Sequence, residues 1–259
     1  MAKTLPIKGF IEASLIDFPL GQPGSVIFIA GCDARCPYCQ ASHLVEGFDR
    51  IPTIPLESIL ASLAELRSFI KAVTVTGGEV TLYPELPTIL LGPLRDMGFN
   101  CNIHTYGARP DRIDSWIRQG YVQALNIDIK GPWRKYKDIL NRPIDAKFLT
   151  AMQAWVQKIM RDSRLLSVEY RTTVHPSLLT IEEIIETAEQ IRGAEMYILQ
   201  NYKPVPGFDP SLQYQPSYSI ETLREVANQI QEQGIVRHCL VGGFMYDTSQ
   251  QEVTYAHSN

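Results

Sequence analysis

Short β-branched runs alternate with amphipathic helical patterns along most of the chain, and this alternation narrows the possible folds more than any other feature. The β-branched runs predict strands over Val26–Ala30, Ala72–Thr76, Cys101–Thr105, Ala124–Ile129, Val168–Val174, Met196–Gln200 and Ile235–Val241. Apolar residues at spacings of three and four predict helices over Leu56–Ile70, Leu86–Met97, Arg112–Gln119, Ala146–Met160, Ile181–Ile191 and Ile220–Gln233. Gly98 and Gly234 follow two of these helices and suit left-handed helix ends. Strands separated by helices form right-handed βαβ units on a parallel sheet. Six or seven such repeats favour an α/β fold closed into a complete or partial barrel, and an open doubly wound sheet is the other architecture the pattern allows. A chain of 259 residues can bury a sizeable core. A single domain over 1–247 is expected, its core at about 20–241, with a polar tail over 248–259.

Bulk properties remove several classes of function. A net charge of -4 and the lack of any Lys/Arg run argue against a nucleic-acid surface. No apolar stretch reaches the roughly 18–20 residues that span a bilayer, so no membrane partner is expected. The segment Met1–Lys8 lacks the apolar core of a secretory signal. Five cysteines, three of them clustered, fit a reducing cytoplasm better than a disulfide network.

The cluster is Cys32, Cys36 and Cys39, in a loop directly after the first expected strand. Three thiolates on one loop can hold three corners of an iron–sulfur cluster, whereas the usual closed cluster takes four. An iron without a protein ligand is an open position where a small molecule can bind. The competing reading is a structural zinc site with His43 as fourth ligand, since zinc accepts Cys3His sets.

Parallel-sheet enzymes place their chemistry at the carboxyl ends of strands. Polar residues collect there in this chain: Gly77, Gly78 and Glu79, then His104, Thr105 and Tyr106, then Asp128 and Lys130, Arg171 and His175, and Gln200 and Asn201. Gly77 and Gly78 either let backbone approach a ligand closely or form a tight turn in which Glu79 is a helix-entry carboxylate. Asp128 and Lys130 alternate along a strand and share a face, which suits a zwitterionic ligand or a structural ion pair. Arg171 is costly to bury unless it meets an anion, either a ligand's carboxylate or Glu169 beside it. Cys101 and Cys239 are read as small buried hydrophobes, and His238 likewise as buried. The stripe Leu60, Leu63, Leu66 and Ile70 is helix packing.

Cys32-x3-Cys36-x2-Cys39, with Tyr38 just before the last cysteine, resembles the signature of radical S-adenosylmethionine (SAM) enzymes. Gly77-Gly78-Glu79 is similar to their second motif. The chain further resembles activating enzymes of glycyl radical enzymes, above all those of anaerobic ribonucleotide reductase. The residues behind this are Gly9-Phe10-Ile11, Ser14-Leu15-Ile16-Asp17-Phe18-Pro19, Asp128-Ile129-Lys130, Tyr170-Arg171-Thr172-Thr173-Val174 and Leu199-Gln200.

The resemblance implies a partial (β/α)6 barrel without an extra ferredoxin-like insert. It implies a [4Fe–4S] cluster on the three cysteines, with SAM completing the coordination of the fourth iron. Tyr38, Gly77, Gly78, Glu79, Thr105, Asp128, Lys130, Arg171 and Gln200 become candidate cofactor contacts, with Glu79 accepting from the cofactor's ammonium group. Arg35 and the loop amides become candidates for tuning the cluster potential. A glycyl radical enzyme is the implied partner, and flavodoxin or ferredoxin the implied electron donor. A radical enzyme acting on a small molecule or modified nucleoside is the second reading, and a zinc-stabilised binding module the third. One motif departs from the group: an Asp-Thr-Asn-Gly run common at the third strand's end is here His104-Thr105-Tyr106-Gly107. The lost carboxylate is one that helps hold a monovalent cation in some relatives, while Asp128 remains. His104 then hydrogen-bonds the ligand or is a satisfied core histidine.

Overall fold

The computed structural model describes residues 4–15, 18, 22–205 and 207–242. Parts of the family-like segment (Ile16, Asp17 and Pro19) and the tail over 248–259 lie outside them. Strands β1 (Ile7–Ser14), β2 (Gly24–Ile29), β3 (Ala72–Gly77), β4 (Asn100–Thr105), β5 (Ala124–Asp128), β6 (Ser167–Val174), β7 (Met196–Asn201) and β8 (His238–Gly242) form one sheet in chain order. From β2 to β8 every pairing is parallel. Steps that always go to the next strand curl a sheet towards a barrel, and β1 and β8 are its two ends. The result is a partial barrel of six β/α units completed by β8.

β1 has no counterpart in the expected elements. It pairs antiparallel with β2 through two register shifts, and the interrupted alternation around Gly9 hides its period. The helices are α1 (Leu56–Leu66), α2 (Gly92–Asp96), α3 (Pro110–Arg118), α4 (Tyr136–Leu140), α5 (Ala146–Ile159), α6 (Ile181–Glu189) and α7 (Ile220–Glu232). The helix expected over Leu86–Met97 is broken into a π-turn at Pro87–Leu91 and the short α2. Pro93 has no N–H for the carbonyl of Ile89, so the ladder widens and the Gly92 amide reaches Pro87 instead. Gly98 (φ +87°) and Gly234 (φ +61°) are left-handed, as expected. Gly234 and Ile235 close α7, which delays the last strand to His238.

The strands put opposite chemistry on their two faces. Val73, Val75, Cys101, Ile103, Leu125, Ile127, Tyr170, Tyr197 and Leu199 are fully buried on one face and belong to the core under the helices. Each such side chain contributes about 1.5–3 kcal/mol through its burial. The alternate positions Thr74, Asn102, Asn126, Glu169 and Arg171 are also buried, but polar. A closed barrel packs its interior with branched apolar side chains; this concave face carries hydrogen-bonding groups instead. Among the described residues no helix is long and apolar enough to cross a membrane.

Candidate active site

The cysteine loop leaves β2 at its carboxyl end and is pinned along its length. Tyr83 Oη donates to the Ala30 carbonyl at 2.7 Å, and the Gly31 amide donates to Leu44 at 2.7 Å. The Arg35 amide donates to Leu140 of α4 at 2.8 Å. Its guanidinium donates to the carbonyls of Cys32 and Ala34, each at 2.9 Å, and to Glu46 at 2.7 Å. The Cys39 amide closes a turn on Cys36 at 3.0 Å, and the Ala34 amide donates to Cys32 Sγ at 3.4 Å.

All five cysteines are unpaired thiols, and Cys101 and Cys239 are buried in the core as expected. Burial pushes the Cys32 thiol up to about 12 and Cys36 to about 11, and raises Cys39 as well. The three thiols therefore hold their protons until a cation displaces them, which is how a metal centre loads onto buried sulfur. Among the described residues no three His, Cys, Asp or Glu side chains are grouped as ligands of a single ion. A cluster makes a different demand, because each thiolate takes its own iron. The three-thiol donor set on one pinned loop fits that demand, and His43 is exposed to solvent.

Gly77 and Gly78 meet backbone. A Cβ on Gly77 (φ +118°) would lie 2.4 Å from the Ile29 carbonyl oxygen, and one on Gly78 would lie 1.9 Å from that of Gly31. The amides of Gly78 and Glu79 donate to these same two carbonyls, each at 2.8 Å. The glycines thus let β3 stay paired with the start of the cysteine loop. The helix-entry alternative describes Glu79: its carboxylate caps the 3-10 turn Val80–Leu82. It accepts from the Thr81 amide at 3.0 Å, from the Thr81 hydroxyl at 2.5 Å, and from the Tyr106 amide at 3.1 Å. Thr105 shares the helix-covered face of Ile103 and gives its hydroxyl to Glu79, so neither side chain lines the concave face. Burial raises the Glu79 carboxyl, and the hydrogen bonds from Thr81, Thr105 and Tyr106 oppose that rise.

Asp128, Lys130 and Arg171 do lie on one face. Lys130 Nζ is 2.8 Å from Asp128 Oδ2 and 5.7 Å from the centre of the Tyr38 ring, which joins this pair to the cysteine loop. Burial alone would lower the Lys130 pKa; the Asp128 carboxylate outweighs it and holds the ammonium well above its ordinary value. Asp128 and Arg171 are register partners across β5 and β6, as are Thr173 and the half-buried Gln200 across β6 and β7. Arg171 pairs with Glu169 at 3.0 Å, the side-by-side alternative. Behind it runs a ladder: Asn126 donates to Glu169 at 2.8 Å, and Asn102 donates to Asn126 at 2.6 Å and to Thr74 at 3.2 Å. Asparagine in the middle of a strand is disfavoured, and that was the readable signal for the ladder. His175 is buried and accepts from the Ser177 amide at 3.2 Å, its ring edge-on to Tyr202. His238, expected to be buried, is half exposed at the start of the terminal strand β8, near Glu195.

Tyr38 Oη and Arg171 Nε are buried without hydrogen-bond partners among the described residues. Each such group costs about 1–3 kcal/mol, which a bound polar ligand would recover. A further set had no readable signal. Asp33, next to Cys32, accepts from Tyr106 Oη at 2.6 Å, Arg142 Nη1 at 2.6 Å and Arg109 Nη2 at 3.1 Å.

Residues 26–191 match the family model described as the radical SAM superfamily. A relative in Methanocaldococcus jannaschii, named by inference as a glycyl-radical enzyme activating enzyme, is 26% identical over 220 residues, 85% of this chain and 89% of its own length. A Haemophilus influenzae protein given the same inferred role is 30% identical over 109 residues, 41% of each chain. Among solved structures, SuiB of Streptococcus suis bound to its precursor peptide SuiA superposes with a TM-score of 0.64 at 15% identity, over 85% of this chain and 48% of that one. Coproporphyrinogen III oxidase of Escherichia coli gives a TM-score of 0.52 at 19% identity, over 81% of this chain and 52% of that one. This chain spans about half of each of these two, and at such identity they speak to the fold alone. With residues 26–191 matched by the family model, the chain belongs to the radical SAM superfamily, enzymes that combine a [4Fe–4S] cluster with S-adenosylmethionine.

Proposed function

We propose that this radical SAM enzyme is an activase that installs a glycyl radical on a large partner enzyme, with an anaerobic ribonucleotide reductase favoured over a pyruvate formate-lyase-like partner. The observation behind it is the extent of the match to the Methanocaldococcus jannaschii relative, 85% of this chain and 89% of that one. The likeness therefore reaches well beyond the cysteine loop.

Cys32, Cys36 and Cys39 would hold three irons of the cluster. Bound together, cluster and SAM supply one-electron cleavage of the sulfonium to methionine and a 5′-deoxyadenosyl radical, which removes a hydrogen atom. Asp128, Lys130 and Arg171 offer paired opposite charges to the zwitterionic amino acid part of the cofactor. Tyr38 and Gln200 border that place at the strand ends. Gly77, Gly78, Glu79 and Thr105 act in this reading through shape, by fixing the ends of β3 and β4 against the cysteine loop. The partner's glycine-bearing segment would enter from the carboxyl ends of the strands, and a flavodoxin or ferredoxin would supply the electron.

The test is anoxic reconstitution, chemical reduction, and incubation with SAM and the candidate glycyl radical enzyme. A glycyl radical doublet in the electron paramagnetic resonance spectrum is expected. Cofactor cleavage without that doublet would reject the activase role and leave the second reading, a small-molecule or modified-nucleoside substrate.

A further inference from the structure

We propose that Asp33, clamped by Tyr106, Arg109 and Arg142, positions the cysteine loop, and that the positive charge left over in this clamp makes the cluster easier to reduce. The inference rests on the family's cofactor and not on the identity of any partner.

Asp33 directly follows Cys32, so a fixed Asp33 side chain fixes the backbone that carries the first thiol. Oδ1 accepts from the tyrosine, and Oδ2 accepts from both arginines. Arg142 also donates to Tyr106 Oη at 2.6 Å, which closes the group into a ring of contacts. Its members come from separate places: Tyr106 and Arg109 follow β4, and Arg142 follows α4. Asn141 ends α4 in the left-handed region (φ +46°), the turn that brings Arg142 round. Asparagine tolerates this conformation better than most residues.

Tyr106 stands where the activase group commonly has a shorter asparagine. Its amide donates to Glu79 at 3.1 Å while its hydroxyl donates to Asp33, so one residue ties the glycine motif to the cysteine loop.

The charges do not cancel. Arg35 is matched by Glu46, but one carboxylate faces two guanidiniums at Asp33, leaving one positive charge in surplus. Arg109 Nη1 is buried with no hydrogen-bond partner among the described residues, and Glu79, the other carboxylate bonded to Tyr106, is held by the Thr81 and Thr105 hydroxyls rather than by either arginine. The clamp is only partly exposed, with side chains at 24–30%. Reduction adds one electron and no atom to the cluster, so a fixed cation beside the loop favours the reduced state.

The test uses the full chain, reconstituted anoxically, with the cluster potential measured by dye-mediated titration and the reduced cluster followed by electron paramagnetic resonance. Arg142→Gln should make reduction about tenfold less favourable, ~59 mV more negative, read on protein that carries its full iron. Arg142→Lys should restore the potential. Tyr106→Phe keeps every charge, so it should move the potential far less but speed cluster loss to a chelator. An unmoved potential in fully loaded Arg142→Gln overturns the charge effect, and unchanged chelation in Tyr106→Phe overturns the positioning. Should Arg142→Gln fail to fold, Arg109→Gln removes the same surplus and is held to the same shift.

Discussion

Thr105 donates its hydroxyl to both carboxylate oxygens of Glu79, each at 2.9 Å, in a site closed to water. Its own oxygen accepts from the Gly107 amide at 2.9 Å. The second glycine motif and the departing third-strand motif are therefore one hydrogen-bonded unit. Thr105→Val keeps the shape and removes the hydroxyl. It should cost about 1–3 kcal/mol in urea unfolding, because a buried carboxylate loses a donor. A loss below about 0.5 kcal/mol, the scatter of a neutral surface change, would contradict this account.

Gly78→Ala should be far more damaging than Gly47→Ala. Gly47 has φ +75° and open space around its Cβ position, so alanine there bears only the left-handed penalty of about 1–2 kcal/mol. At Gly78 the new carbon would lie 1.9 Å from a main-chain oxygen, and one of the two strand ends must move. A loss above about 3 kcal/mol, together with reduced iron uptake, is expected. Equal melting temperatures for the two variants would refute the packing role.

Breaking the Asp128–Lys130 pair should be asymmetric. The lysine side chain is 12% exposed and the aspartate 37%, so a stranded ammonium costs more than a stranded carboxylate. Asp128→Asn should lose about 2–3 kcal/mol and Lys130→Met about 1 kcal/mol, below the figure for fully buried pairs. Calorimetric titration with SAM should show weaker binding in both. The opposite order in denaturant melts would show that the lysine is hydrated.

Glu183 supplies the pH test. Burial alone would raise its carboxyl, but Lys135, the Thr180 amide and Arg134 hold it below the ordinary value of 4.5. A depressed carboxyl stabilises the fold above its unfolded value and loses that contribution as pH falls through the folded one. Glu183→Gln should therefore cost about 1 kcal/mol at neutral pH, the size of a lost capping contact, and clearly less in acid, below the pH at which the folded carboxyl takes up its proton. A cost that is the same in acid as at neutral pH would remove charge from the explanation.

The strands, most helices and the cysteine loop were legible because each is written locally, in periods of two and 3.6 residues and in the spacing of three cysteines. β1 was not, since an edge strand with shifted register loses its alternation. The break at Pro93 was readable in principle, because a missing N–H is a property of the residue itself. His238 went the other way: its run looks like a buried strand, but β8 ends the sheet and leaves it open.

Residue order alone established the repeating βα architecture, the three-thiol loop and the set of polar side chains at the strand ends, because these depend on neighbours a few positions apart. Tertiary structure decided which of those side chains meet. It turned Glu79 and Thr105 towards one another and away from the concave face, paired Arg171 with Glu169, and gave Asp33 a tyrosine 73 positions and an arginine 109 positions away. Contacts at such separations follow from sheet register and from how the strands curl, which no local pattern encodes.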